Sequence, residues 1–156
     1  MLLLLMLLAQ DDPISAIQAY RKQGGEHWLP PAAVVAEALA KARWRPNHSS
    51  PNDFLTVAAE HAGYQVNSFR RQIRIAEFLK AQVGDRYATL VQSAKAPLSA
   101  LELLARLHAI NPGKATPLLS EVLNGNLGFT KVKALYEQEA QQGQPMRSSL
   151  RSGAKQ

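Results

Sequence analysis

The sequence predicts an all-α fold, a compact bundle of on the order of six or seven short helices. Three observations carry that expectation. Apolar residues recur at spacings of three and four rather than two, Gly and Pro punctuate the chain at helix-length intervals, and β-branched runs of strand length are scarce. With 156 residues and 46% hydrophobic content, the chain has enough apolar material for one respectable core. The expected organisation is an apolar N-terminal segment over 1–10, a single helical domain over 11–140 and a basic tail over 141–156.

Charge narrows the classes of partner. The net charge is +6 with a pI near 9.8, which favours a polyanion over a basic protein. Half of that excess comes from Arg147, Arg151 and Lys155 in the last sixteen residues. That tail is rich in Gln, Ser and Gly and poor in apolar residues, so it is expected to be disordered: a flexible cationic arm adding phosphate contacts, or an inert solvated end. The chain has no cysteine, which excludes a disulfide framework, a thiolate metal site and a Cys nucleophile.

The first nine residues, MLLLLMLLA, are the most apolar run. They are less than half the length that spans a bilayer and lack the basic start and small-residue cleavage site of a secretory signal. No membrane span is expected. A Leu-rich helix packed on the domain or on a protein partner fits the run best, with an export signal cut near Ala9 or a misassigned start as alternatives.

Asp11 and Asp12 before Pro13 mark a helix start, because Asp caps and Pro is pre-set for the first helical position. Ile14, Ile17 and Tyr20 then share a side until Gly24 and Gly25 stop the helix. Trp28 and Leu29 are a packed plug between helices. From Pro31, AAVVAEALAKARWR is alanine-rich and predicts an amphipathic helix, with Val35, Ala38, Leu39 and Ala42 inward and Glu37 and Lys41 outward. Its end carries Lys41, Arg43, Trp44 and Arg45. Those cations suit a phosphate backbone, and equally suit any helix C-terminus.

Ser50, Pro51 and Asp53 predict the next helix by the same capping logic, with Phe54, Leu55, Ala58, Ala59 and Ala62 on one face and Gly63 as the left-handed stop. After Tyr64, Gln65 and Val66, the capping residues Asn67 and Ser68 predict a helix over 68–82 that turns Phe69, Ile73, Ala76 and Leu79 inward. Arg70, Arg71, Arg74, Glu77 and Lys80 make its remaining surface basic.

This layout, with small Ala59, Gly63 at the turn, apolar Val66 and an Arg-rich second helix, resembles a helix-turn-helix DNA-binding unit over 51–82. The resemblance implies that the second helix enters the major groove with its N-terminal residues at base edges. It would make Ser68, Arg70, Arg71 and Arg74 DNA contacts, Gln72 an adenine reader, and Lys41, Arg43 and Arg45 backbone anchors. The sequence departs from the family pattern at Gln72, where an apolar residue is usual.

Beyond Gly84 and Asp85, a short helix is expected over 86–93, with Tyr87, Leu90 and Val91 inward. Ser99 and Glu102 form a capping box for a core helix holding Leu101, Leu104, Ala105 and His108 at helical spacing, with Leu103 and Leu107 widening the stripe. Asn111, Pro112 and Gly113 turn the chain into a helix with Leu118, Leu119, Val122 and Leu123, closed by Asn124 and Gly125, and Thr130 caps the last one, with Val132, Leu135 and Tyr136. This second pair, over 115–138, loosely resembles the helical regions that accompany DNA-reading units in plasmid and chromosome partition proteins.

No catalytic site is visible. There is no Gly-rich phosphate loop, no defensible carboxylate pair and no metal spacing among the four histidines, so neither catalysis nor a cofactor or metal is expected. The expected partner is double-stranded DNA, bound by a transcriptional regulator or partition protein in the cytoplasm. A second copy of the chain would join along the Leu-rich N-terminus. The rival reading is a helical adaptor that holds a protein partner through that N-terminus.

Overall fold

The computed structural model describes residues 12–142, so the expectations for the apolar N-terminal segment and for the tail beyond Gln142 lie outside the described residues. The regular structure among the described residues is entirely helical. Where the sequence suggests one domain over 11–140, the chain divides after Ala94 into two compact units.

The first unit holds α1 (Pro13–Lys22), α2 (Leu29–Ala40), α3 (Pro51–Ala62), α4 (Val66–Val83), a single 3-10 turn over Gly84–Arg86, and α5 (Tyr87–Ser93). Its centre is α2, which touches every other α-helix of the unit. The amphipathic face expected of this helix is replaced by burial almost all round: Leu29, Ala32, Ala33, Val34, Val35, Ala36 and Ala38 are all in the core. A helix apolar on every side is stable only where neighbours cover every side. Its alanines let those neighbours approach closely. Pro30 and Pro31 fall at its first positions, where their missing N–H groups cost nothing. The helix ends earlier than the sequence suggests, because Ala42 adopts φ 53° and Arg43 N–H bonds back to the Ala38 carbonyl at 2.9 Å.

Local caps explain the neighbouring elements. Asp12 accepts from Ile14 N–H at 3.2 Å and opens α1; Ser50 Oγ accepts from Asp53 N–H at 3.1 Å and opens α3. Gly63 closes α3 at φ 84°, as a left-handed cap should. Only Tyr64 and Gln65 then separate the helices. Gln65 is extended and α4 starts at Val66, which puts Asn67 and Ser68 in its first turn rather than at its cap.

That turn is held from outside by Arg21 of α1. One guanidinium nitrogen donates to the Ala62 carbonyl and the other to the Gly25 carbonyl at 3.3 Å, while the group lies 5.7 Å from the Tyr64 ring centroid. Two carbonyls at chain turns are thereby satisfied by one cation. Tyr20 fixes the neighbouring loop by donating to the His27 carbonyl at 3.2 Å and accepting from His27 N–H at 3.1 Å. A Cβ on Gly25 would lie 2.4 Å from its ring, so any larger residue here must displace Tyr20.

The second unit holds α6 (Leu98–Ile110), α7 (Pro112–Ala115), a 3-10 turn over Thr116–Leu118, α8 (Leu119–Leu123) and α9 (Phe129–Gln142). Two expected caps shift here: α6 begins directly after Pro97, which leaves Ser99 inside its first turn, and α9 begins at Phe129, before Thr130. The core forms where α9 and α8 pack on α6, through Val132, Val122 and Leu123 with Leu101, Leu104 and Leu107. One acid is drawn into this unit. Glu139 pairs with Lys114 and accepts from Asn111 Nδ2 at 3.5 Å, and the Lys114 ammonium holds its carboxyl below the usual range.

Charge-assisted bonds to carbonyls contribute about 1.5–3 kcal/mol each. Arg21→Ala is therefore expected to lower the unfolding free energy by about 2 kcal/mol in urea titration while leaving the helix content unchanged.

Candidate nucleic-acid interface

The sequence assigns α4 an inward and an outward side, and the structure sorts its residues accordingly. Phe69, Ile73, Ala76 and Leu79 are buried, joined by Ile75, while Arg70, Arg71 and Arg74 are exposed. The face is built on a wide contact with α2, whereas α3 touches α4 at fewer places. Spacings of three and four bring the three arginines onto neighbouring turns of one side. Arg70 Nη2 donates to Asn52 Oδ1 at 3.1 Å, which tethers this face to the first turn of α3. A guanidinium has five N–H donors, and this bond uses one of them. Ser68 is half-buried within the first turn.

Gln72 is a correction. Its side chain is only 4% exposed, on the core side of α4, and is out of reach of a base edge. Its Oε1 has no hydrogen-bond partner. The signal was in the sequence: position 72 falls between Phe69 and Ile73 in the i, i+3, i+4, i+7 pattern that ends at Ala76. The inward slot where an apolar residue is usual does face the core here, and a polar residue fills it.

The anchors proposed near the end of α2 are also rearranged. Lys41 is ion-paired with Glu37 at 2.6 Å, and the same carboxylate takes Lys80 of α4 at 2.8 Å. Arg70 and Lys80 are ten residues apart on α4, about 15 Å along its axis, so Lys41 belongs with the far end of that helix and not with Arg70. Arg43 is half-buried, and the exposed Arg45 lies with its guanidinium 5.7 Å from the Trp44 ring centroid. The candidate interface therefore reduces to Arg70, Arg71 and Arg74, with Ser68 at its edge.

Glu37 is the residue that sequence reasoning missed. Its side chain is 17% exposed, and hydrogen bonds from Lys41 and then Lys80 hold its carboxyl down to about 2. The Glu37–Lys80 pair spans 43 residues of sequence, which no local pattern reports. Among the described residues, no cluster of three or more acids and histidines could hold a metal ion, and no helix is long and apolar enough to cross a membrane.

Compared with protein-family models, curated proteins and solved structures, the chain matches none.

Two outcomes are expected. A buried amide oxygen without a partner costs about 1–3 kcal/mol, so Gln72→Leu should raise stability by about 1 kcal/mol in urea titration. Glu37 has a depressed folded-state pKa, so its contribution is full above the ordinary carboxylate range and is lost as pH falls toward about 2. Glu37→Gln is thus expected to cost about 1 kcal/mol at neutral pH, given that both lysines are half exposed, and much less near pH 2.

Proposed function

We propose that this protein binds double-stranded DNA through the exposed side of α4, in the manner of a small regulator or partition protein. The observation that carries the reading is the separation along α4: Arg70, Arg71 and Arg74 stand exposed on a helix whose other side is anchored in the core. Guanidinium forks match phosphate oxygens and the O6 and N7 edge of guanine, so this helix can both position and read. Gln72 takes no part. Support also comes from the net charge of +6 and from the capped, Gly-turned pair α3 and α4.

The rival adaptor reading has less behind it: Ile110 and Phe129 of the second unit are 48% and 42% exposed, and large apolar side chains exposed singly are ordinary on a surface. The two readings differ in what charge reversal does.

Fluorescence anisotropy of the full chain with a random duplex, across a salt series, decides between them. The DNA reading expects affinity to fall log-linearly with salt, and the double variant Arg70→Glu, Arg74→Glu to reduce the slope by about 2, at unchanged thermal stability. Absence of binding at low salt, or a slope untouched by the double variant, overturns it.

A further inference from the structure

The arginine side of α4 is not uniform, because one of its guanidinium groups is held by a neighbouring helix. Arg70 Nη2 donates to Asn52 Oδ1 at 3.1 Å, from α4 to α3. Arg74 makes no hydrogen bond or ion pair among the described residues. Asn52 itself stands on the capped first turn of α3. There Ser50 Oγ accepts from Asp53 N–H at 3.1 Å, Ser49 Oγ donates to the Asp53 carboxylate, and Thr56 Oγ1 donates to the Asn52 carbonyl at 2.9 Å. Only χ1 and χ2 of a short side chain separate the amide that holds Arg70 from this turn.

The type of residue at 52 matters as much as its place. A guanidinium only donates, so the amide turns its oxygen to Arg70. An oxygen without formal charge orients the group and leaves the positive charge intact. A carboxylate at this position would pair with Arg70 and cancel that charge. The bond also leaves Arg70 able to recognise a partner. A guanidinium has two edges that present parallel N–H groups, Nε with Nη2 and Nη1 with Nη2, and one Nη2 hydrogen given to Asn52 occupies one edge and leaves the other whole.

Orienting a guanidinium matters little against phosphate, which an arginine meets mainly through charge, and matters more against a base. The O6 and N7 edge of guanine takes two N–H groups at once only when fork and base are coplanar. An arginine already held loses less rotamer freedom on reaching that geometry. Arg70 is also the fifth residue of α4, within the N-terminal part that a groove-entering helix brings to base edges. We infer that Asn52 is a positioning residue for sequence recognition: it orients Arg70 to read a guanine, while Arg74 contacts phosphate. This rests on the DNA reading and adds to it the residue pair that sets specificity.

The test has two stages. Anisotropy of the full chain on a random duplex across a salt series first measures DNA binding as such. Selection from a randomised duplex library, with the full chain and each variant, then reads base preference pair by pair. The unsubstituted chain is expected to select a site with a preferred guanine. Asn52→Ala is expected to lower that preference about fivefold, at the base pair that Arg70→Lys also relaxes, with thermal stability and salt slope unchanged. Asn52→Asp is expected to weaken binding to every sequence and to reduce the salt slope by about 1, because one cation is cancelled. A merely structural Asn52 would move the melting temperature and leave base preference alone. Base preference untouched by Asn52→Ala, relaxation at a different base pair from Arg70→Lys, or binding with no guanine preferred overturns the inference and leaves the DNA reading standing. No binding at low salt overturns both.

Discussion

The first unit depends on the burial of α2. A helix covered on nearly all sides must be small where its neighbours approach, and alanine at 32, 33, 36 and 38 meets that constraint. It must also neutralise any charge it carries. Glu37 is the one acid in its span, and its two lysine partners turn an otherwise costly group into the link between α2 and α4. The same constraint sets the orientation of α4. Once Phe69, Ile73, Ala76 and Leu79 are committed to the core, its arginines are left on the opposite side.

Arg21 plays the complementary part at the α3–α4 turn. Gly63 alone permits the left-handed residue there, but permission does not select a geometry. The guanidinium that spans the Ala62 and Gly25 carbonyls and lies over Tyr64 selects it. The direction in which α4 leaves α3 is thus fixed by a side chain from α1, some forty residues earlier in the chain.

What was legible in the sequence follows from this division of labour. Starts and stops that rest on neighbouring residues were legible: Asp12, Ser50 and Gly63 each do what their chemistry dictates. Starts set by chain geometry were not. Asn67, Ser68, Ser99 and Thr130 can all cap a helix, yet α4, α6 and α9 begin before them; for α4 and α6, an extended Gln65 and a Pro97 fixed near φ −69° leave the helix nothing to wait for. The all-round burial of α2 escaped because alanine is indifferent to water, and its placement is decided by what packs upon it. Of the candidate site, the three arginines could be read from periodicity, and Gln72 could have been excluded by the same periodicity. The Glu37–Lys80 pair could not, since it is made by residues more than forty positions apart.

The arginine face has a cost of its own in the isolated chain. Arg70 and Arg74 are four residues apart, Arg71 and Arg74 three, and like charges at such spacings destabilise a helix by about 0.2–0.5 kcal/mol per pair. The sequence places no acid between them; Glu77, three residues after Arg74, offsets part of the repulsion through its spacing, though it forms no ion pair among the described residues. Asn52 contributes a neutral oxygen to Arg70, enough to orient it and not enough to cancel its charge. The repulsion is relieved when an anion enters between the guanidinium groups, and a row of phosphates does this at every contact while releasing counterions.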